Sequence, residues 1–217
     1  KNKLLKNSKF RIYNFDDMSL NRSSEKLLDG IWVSSIGDQF NKEKCDYCID
    51  RKGYVLEKGK RLFDSKLLKL KGDHNIQNLL LATAAARLIG LTGNQIKESL
   101  SSYIQLPHRL ETIFNKNNFE IINDSKATNF DSSIAGINSL KDNLVIIAGG
   151  RIKNGDSSLW VETINQRCKA IFLYGESAME LNSLLILGNF KNDIFINQDL
   201  TTCVRQAIKF LKKENLK

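Results

Sequence analysis

Seven consecutive residues, 123–129, read N-D-S-K-A-T-N and bring several reactive groups close together. Asp124 supplies a carboxylate, Lys126 an ammonium and Thr128 a hydroxyl, with amides on either side. An apolar run precedes the stretch and an amphipathic run starts at Phe130, which predicts a strand-to-helix turn. Open α/β sheets bind ligands at such turns, and the first N–H groups of a helix favour an anion. The simpler interpretation is an N-capping loop, because Asp, Ser, Thr and Asn all begin helices well.

Three further polar clusters lie at the ends of predicted helices and strands. One reads G-D-H-N-I-Q-N at 72–78, the second L-P-H-R-L-E at 106–111, and the third G-G-R-I-K-N-G-D at 149–156. The second contains the only proline of the chain, which fixes its turn, and a guanidinium such as that of Arg109 can stack on a purine. Taken alone, the asparagines at 72–78 are equally suited to N-capping. The Pro-His-Arg turn also suits a hinge with a surface salt bridge to Glu111.

In chain order the four clusters resemble those of the Mur ligases, and the resemblance runs from about Phe10 to the end of the chain. The 123–129 stretch discriminates among them and is most similar to the members that add D-glutamate. The resemblance implies an ATP-dependent ligase of peptidoglycan precursor synthesis. Such an enzyme activates UDP-N-acetylmuramoyl-L-alanine as an acyl phosphate, which the amine of D-glutamate then attacks. It further implies ATP and Mg²⁺ as cofactors, small-molecule substrates, a cytoplasmic location and a monomer that binds neither nucleic acid nor membrane.

The resemblance also implies roles for individual residues. Nucleotide binding falls to Asn75, Asn78, His108, Arg109 and Asp124. Asparagine amides suit the adenine edge, and a carboxylate at a strand end suits the ribose hydroxyls.

The amino-acid side of the site is implied in the same way. Lys126 and Thr128 are the expected catalytic residues and also face D-glutamate, while Lys153 is expected to pair with one of its carboxylates. The family often has Asp before this last lysine, whereas this chain has Ile152, which leaves the orientation of Lys153 open. A solvated loop lysine is the alternative for Lys153.

The resemblance assigns 1–104 to the end of the central ATP-binding domain and 105–217 to a truncated C-terminal domain. No G-x-x-x-x-G-K-[ST] loop occurs in the sequence. The nearest match, 53–60, has one residue too many between its glycines, has Arg61 after its lysine and lies in a predicted hairpin. In the family, the P-loop and the Mg²⁺ ligands lie upstream of the region that resembles this chain. We therefore expect no metal ligands here and no activity from this chain alone.

Composition restricts the possible functions further. The formal charge is +9, but the lysines are scattered and aromatic residues are not interleaved with them, which disfavours a nucleic-acid surface. No apolar run reaches the length of about 18 residues that a membrane span needs. Cys45 and Cys48 have C-x-x-C spacing, but no second pair accompanies them as a zinc site would require. We expect reduced thiols.

Strand–helix alternation predicts an α/β fold with a doubly wound, mostly parallel sheet in the second region. The resemblance implies that the first region is the end of a P-loop-type domain and that the second is a Rossmann-like domain. The continuous apolar run at 144–148 is typical of a buried parallel strand. Strands are predicted at 10–14, 30–34, 45–50, 54–57, 110–114, 119–122, 144–148, 170–174 and 193–196. Helices are predicted at 79–89, 95–103, 131–140, 158–165, 178–185 and 200–213.

Two other functions remain open from the sequence. One is a different Mur-type or folylpolyglutamate-type amide ligase. The other is a non-catalytic nucleotide-binding module with an α/β fold.

Overall fold

The computed structural model describes residues 7–17, 20, 29–36, 45–70, 72–116, 119–152 and 155–214. The chain forms two compact units, Lys1–Gln105 and Leu106–Lys217. In the described part of the chain, no helix combines the length and apolarity needed to cross a membrane.

The first unit contains a five-stranded sheet in which the strands follow one another in chain order. The first three strands are parallel, and the last two are antiparallel to their neighbours. Gly53 takes a φ of +88° in the turn after the third strand, as the sequence predicts for glycine there. Residues 53–60, the nearest match to a P-loop motif, form the fourth strand and the turn that follows it. The strands are β1 (Ile12–Asn14), β2 (Ile31–Ser34), β3 (Tyr47–Ile49), β4 (Tyr54–Glu57) and β5 (Lys60–Asp64).

Two helices complete the first unit: α1 (Asp73–Leu88) and α2 (Gly93–Ser101). The predicted helix at 79–89 is the apolar part of α1, and it packs its buried face on the sheet. The helix begins earlier than predicted because Gly72, with a φ of +96°, acts as its N-cap. It ends before Gly90, whose φ of +95° is typical of a glycine after a helix. The predicted second helix begins two residues earlier, at a capping box formed by Thr92 and Gln95.

The second unit contains a parallel sheet flanked by helices on both faces. Along its central strand, Ile171 and Leu173 face one apolar core, while Ala170 and Phe172 face another. Because successive strand residues point to opposite faces, this alternation confirms the doubly wound arrangement. The elements of this unit are β6 (Glu111–Lys116), β7 (Phe119–Asn123), α3 (Phe130–Asn138), β8 (Leu144–Gly149), α4 (Ser158–Arg167), β9 (Cys168–Tyr174), α5 (Ala178–Leu187), β10 (Asp193–Asn197) and α6 (Leu200–Lys213). The parallel sheet has the order β10-β9-β8, and β6 and β7 form a separate antiparallel pair.

The predicted buried position of 144–148 needs a correction. The strand β8 pairs in parallel with β9, as expected, but it is half-buried and lies at an edge of the described three-stranded sheet. Its side chains alternate between the two cores, with Ile146 in one and Ile147 in the other. The continuous apolar run therefore reflects helices on both faces rather than strands on both edges.

Candidate functional site

Two polar clusters, 106–111 and 123–129, pack directly on each other in the second unit, and together we call them the corner. Lys126 N–H donates to the carbonyl of His108 at 3.0 Å, and Leu110 N–H donates to Asp124 Oδ1, also at 3.0 Å. The register of the β6–β7 hairpin pairs Glu111 with Asn123, which places the residues before one strand beside those after the other. A one-residue slip of that register would turn the side chains of β7 to the opposite face and so break this arrangement.

The 123–129 loop is a strand-to-helix turn, as the sequence predicts. Asn123 ends β7, and its Oδ1 accepts the N–H of Ser125 at 3.1 Å. At the other end, Asn129 caps α3 by accepting the N–H of Ser132 at 2.8 Å. The capping interpretation is therefore correct for Asn129. Between the two ends, Lys126 and Thr128 are exposed.

The Pro-His-Arg turn has an unusual backbone. His108 has a φ of +65° and Leu110 a φ of +46°, values that residues other than glycine rarely adopt. Hydrogen bonds hold both residues: His108 N–H donates to Glu111 Oε2 at 2.8 Å, and Leu110 is bound by Asp124. Strained backbone held by surrounding contacts is often found at ligand-binding sites. Arg109, which lies between the two, is exposed.

Asp124 is half-buried behind the turn. Its Oδ1 binds Leu110 N–H, and its Oδ2 lies so close to Gly136 of α3 that a Cβ at that glycine would overlap it. The structure thus gives Asp124 a role in organising the corner that sequence reasoning missed.

The two asparagines expected at the adenine lie in the first unit, on α1. Asn75 and Asn78 are three residues apart and so share a face of the helix. Neither is the N-cap, because that position belongs to Gly72, which has no side-chain cap bond. N-capping therefore does not account for these two residues. Asn75 is half-buried and Asn78 is exposed.

A second strand end carries the glycine-rich cluster. Gly149 ends β8, and a Cβ there would overlap Tyr174 of β9, so the two strand ends are packed closely. Gly150 follows with a φ of +105°, and its carbonyl accepts the N–H of Ser177 at 3.1 Å. Glycine is needed at 149 because Tyr174 leaves no room for a Cβ, and it is favoured at 150 because φ is positive there.

Lys153, the expected D-glutamate ligand, lies outside the described residues. The residues that flank it are described. Ile152 packs against the apolar core, which explains an apolar residue where the family often has Asp. Gly155 has Phe130, the first residue of α3, as its neighbour, at 3.5 Å from a Cβ built on the glycine. Gly155 therefore lies beside the first residue of α3, the helix that follows the 123–129 loop.

The described residues contain no group of three His, Cys, Asp or Glu side chains that could hold a metal ion. The four cysteines are free thiols and are all buried. Burial raises the pKa of Cys168 to about 12, and burial together with the nearby Cys48 and Asp16 raises the pKa of Cys45 to about 12. Thiols in such surroundings are poor nucleophiles.

Several curated proteins with similar sequences carry the same name. No protein-family model matches the chain. A UDP-N-acetylmuramoylalanine--D-glutamate ligase of Prochlorococcus marinus strain MIT 9515 is 49% identical over 216 residues, which cover 100% of this chain and 45% of that protein. The ligase of the same name from strain MIT 9312 is 50% identical over 216 residues, 46% of its length. That of Parasynechococcus marenigrum strain WH8102 is 38% identical over 206 residues. The chain spans about half the length of these curated relatives.

Solved structures show the same fold at low sequence identity. MurF from Acinetobacter baumannii has a TM-score of 0.62 and 18% identity, over 94% of this chain and 46% of its own. MurC from Thermotoga maritima has a TM-score of 0.62 and 16% identity, over 99% of this chain and 53% of its own. Folylpolyglutamate synthase from Mycobacterium tuberculosis has a TM-score of 0.61 and 14% identity, over 89% of this chain and 46% of its own. With sequence matches along its entire length and this fold, the chain belongs to the Mur ligase family.

Proposed function

We propose that this chain is part of an ATP-dependent ligase that adds D-glutamate to UDP-N-acetylmuramoyl-L-alanine in peptidoglycan precursor synthesis. One observation carries the proposal: the 123–129 loop is an exposed strand-end turn that is hydrogen-bonded to the Pro-His-Arg turn. That loop is the stretch most similar to the D-glutamate-adding members. The name shared by the relatives that match the whole chain supports the same function.

We place residues 1–104 at the end of the central ATP-binding domain and residues 105–217 in the C-terminal domain. The separation into two compact units, Lys1–Gln105 and Leu106–Lys217, supports this division. Substrates such as ATP and a UDP-linked sugar fit a cytoplasmic location for the enzyme.

In this proposal the corner binds the nucleoside part of ATP. Its exposed edge presents Arg109, whose flat guanidinium suits a purine face, and His108, whose side chain is 61% exposed. Asp124, a carboxylate at the end of β7, accepts from the ribose hydroxyls. Asn75 and Asn78 meet the donor–acceptor edge of adenine. ATP, when bound, supplies the phosphoryl group that activates the substrate carboxylate.

The exposed middle of the 123–129 loop serves the reaction and D-glutamate. Lys126 places a cation where negative charge develops on the reacting oxygens, and such charge stabilisation is a large part of this kind of catalysis. Thr128 offers a hydroxyl beside it. Lys153 pairs with a carboxylate of D-glutamate, which carries two at neutral pH. Mg²⁺ coordination is not assigned to the described residues, because they contain no suitable cluster.

The test uses the complete protein encoded by the reading frame that contains this chain. Formation of the amide product is measured with UDP-N-acetylmuramoyl-L-alanine, ATP and a panel of amino acids that includes D-glutamate and L-glutamate. Arg109→Ala is expected to raise KM for ATP chiefly, because base contacts are made equally in the ground and transition states. Lys153→Ala is expected to weaken D-glutamate use by roughly 10- to 150-fold, since a charge-assisted bond contributes about 1.5–3 kcal/mol.

The matched control is Arg151→Ala, which removes a cation close to Lys153 in sequence. Arg151 forms an exposed ion pair with Glu176 at 2.9 Å, and exposed pairs contribute little. Neither KM should change. A preference for a different amino acid would assign the chain to another Mur-type or folylpolyglutamate-type ligase. Absence of any product would favour a non-catalytic nucleotide-binding module.

A further inference from the structure

The backbone N–H of Ser125 determines the orientation of the side-chain amide of Asn123. A backbone N–H can only donate, so the atom of Asn123 that meets Ser125 N–H at 3.1 Å must be its oxygen, Oδ1. The nitrogen, Nδ2, then faces the ring of His108 and lies 2.8 Å from Nδ1. The usual ambiguity of amide orientation is therefore resolved by hydrogen bonding.

This contact decides which nitrogen of His108 carries the hydrogen. An amide nitrogen has donors only, so His108 Nδ1 must accept. The neutral ring then carries its hydrogen on Nε2. The competing group is Glu111 Oε2, which lies 3.8 Å from Nδ1 and is beyond hydrogen-bond distance. Glu111 Oε2 instead accepts the backbone N–H of His108 at 2.8 Å.

Hydrogen bonds fix the backbone of His108 on both sides, so the position from which its ring projects is defined. Its N–H is bound by Glu111, its carbonyl accepts from Lys126 at 3.0 Å, and its φ of +65° fixes the turn. With Nδ1 engaged by Asn123, the atom left for a ligand is Nε2, on a ring that is 61% exposed. The ring therefore offers a hydrogen-bond donor to a ligand, and no acceptor.

We propose that Asn123 is a positioning residue that fixes the neutral His108 ring with Nδ1 as acceptor and an N–H donor at Nε2. The donor selects an acceptor atom on the ligand, such as a ring nitrogen or oxygen of a nucleoside. That the ligand is a nucleotide rests on the proposed function above. The state of the ring itself does not depend on it.

The experiment measures the ¹⁵N shifts of the two ring nitrogens by NMR in alkaline buffer, at about pH 8.5. Protonated and unprotonated ring nitrogens have well-separated shifts. The chain has two histidines, so His74 in the first unit is an internal reference. In the native chain, His108 should show an unprotonated Nδ1 and a protonated Nε2. In Asn123→Asp the new carboxylate can only accept, so the hydrogen should move to Nδ1.

Two matched variants distinguish the effect of Asn123 on the His108 ring from the effects of nearby residues. Asn129→Asp makes the same change in the same loop and keeps a good N-cap, so the His108 signals should not change. Glu111→Gln removes the competing carboxylate but keeps an acceptor for His108 N–H, and the hydrogen should stay on Nε2. A protonated Nδ1 in the native chain would overturn the proposal, as would identical ring signals in the native chain and Asn123→Asp.

A kinetic measurement on the complete protein tests whether the N–H at Nε2 of His108 donates to the nucleotide. Asn123→Asp should raise KM for ATP by about 2- to 10-fold with kcat nearly unchanged, which corresponds to one neutral hydrogen bond. Changed ring signals with an unchanged KM for ATP would overturn the assignment of Nε2 to the nucleotide. Failure of the proposed function would appear differently, as no D-glutamate product from the native protein, whatever the ring signals show.

Discussion

Gly136 has no side chain for a reason that can be tested. It lies within α3, where replacing glycine by alanine usually stabilises a helix by about 0.5–1 kcal/mol. Here a Cβ would overlap Oδ2 of Asp124, the carboxylate that binds Leu110 N–H at 3.0 Å. Gly136→Ala should therefore destabilise the second unit, against the helix propensity.

The magnitude follows from the two contacts. Overpacking at a buried position costs about 1–3 kcal/mol. Displacing Asp124 also leaves the N–H of Leu110 without its acceptor, and Leu110 is 6% exposed, so the loss is about 1–3 kcal/mol. After subtracting the gain in helix propensity, we expect Gly136→Ala to lower the free energy of unfolding by about 1–5 kcal/mol.

Urea unfolding followed by tryptophan fluorescence measures this effect in the second unit. Trp160 is buried and donates to Ser133 of α3 at 3.0 Å, so it reports on that helix. The other tryptophan is Trp32 in the first unit, and a Trp32→Phe background removes its signal. The measurement is then repeated with Asp124→Ala already present.

In the Asp124→Ala background the added Cβ meets no carboxylate. The same Gly136→Ala change should then stabilise the second unit by about 0.5–1 kcal/mol, so the sign of its effect reverses. Gly155→Ala is the control, because a Cβ there would be in ordinary contact with Phe130 at 3.5 Å, and we expect a change within about 0.5 kcal/mol. A stabilising Gly136→Ala in the native background, or equal effects in both backgrounds, would refute the reasoning.

Three further predictions concern the rest of the chain. Arg87 holds the pKa of Glu57 below its ordinary value of 4.5 through a 2.8 Å ion pair, so this contribution to stability is complete above that pH and lost as pH falls through the lowered pKa. Glu57→Gln should therefore reduce the acid dependence of the unfolding free energy, and an identical dependence would contradict the assignment. Thr92→Ala removes the capping box of α2 and should lower the unfolding free energy in urea by about 1 kcal/mol, while an unchanged urea midpoint would show that the cap contributes nothing. Because burial raises the pKa of Cys45 and Cys168 to about 12, iodoacetamide should modify them slowly in the native chain and rapidly in denaturant, as mass spectrometry can measure; equal rates would be inconsistent with burial.

The sequence by itself determined most of the elements and the nature of the 123–129 loop. The periodicities of strands and helices distinguished the β-rich first region from the second region, in which strands and helices alternate. Asn129 caps α3, as expected for an asparagine at the start of a helix. These features depend on residues within a few positions of each other. Local physics is therefore sufficient to predict them. The errors are shifts at element ends, of which the largest is the start of α1 at 73 rather than 79, and the strand β5 (Lys60–Asp64), which was not predicted.

Tertiary structure alone decided how the site is built. The β6–β7 register puts 106–111 against 123–129, and only that contact shows that Asp124 binds Leu110 and that Asn123 binds His108. It also placed β8 at an edge of the described three-stranded sheet despite its apolar run. Such partners are 14 or 15 residues apart, and their meeting depends on strand pairing and on the space beside a glycine in α3, which no local pattern contains.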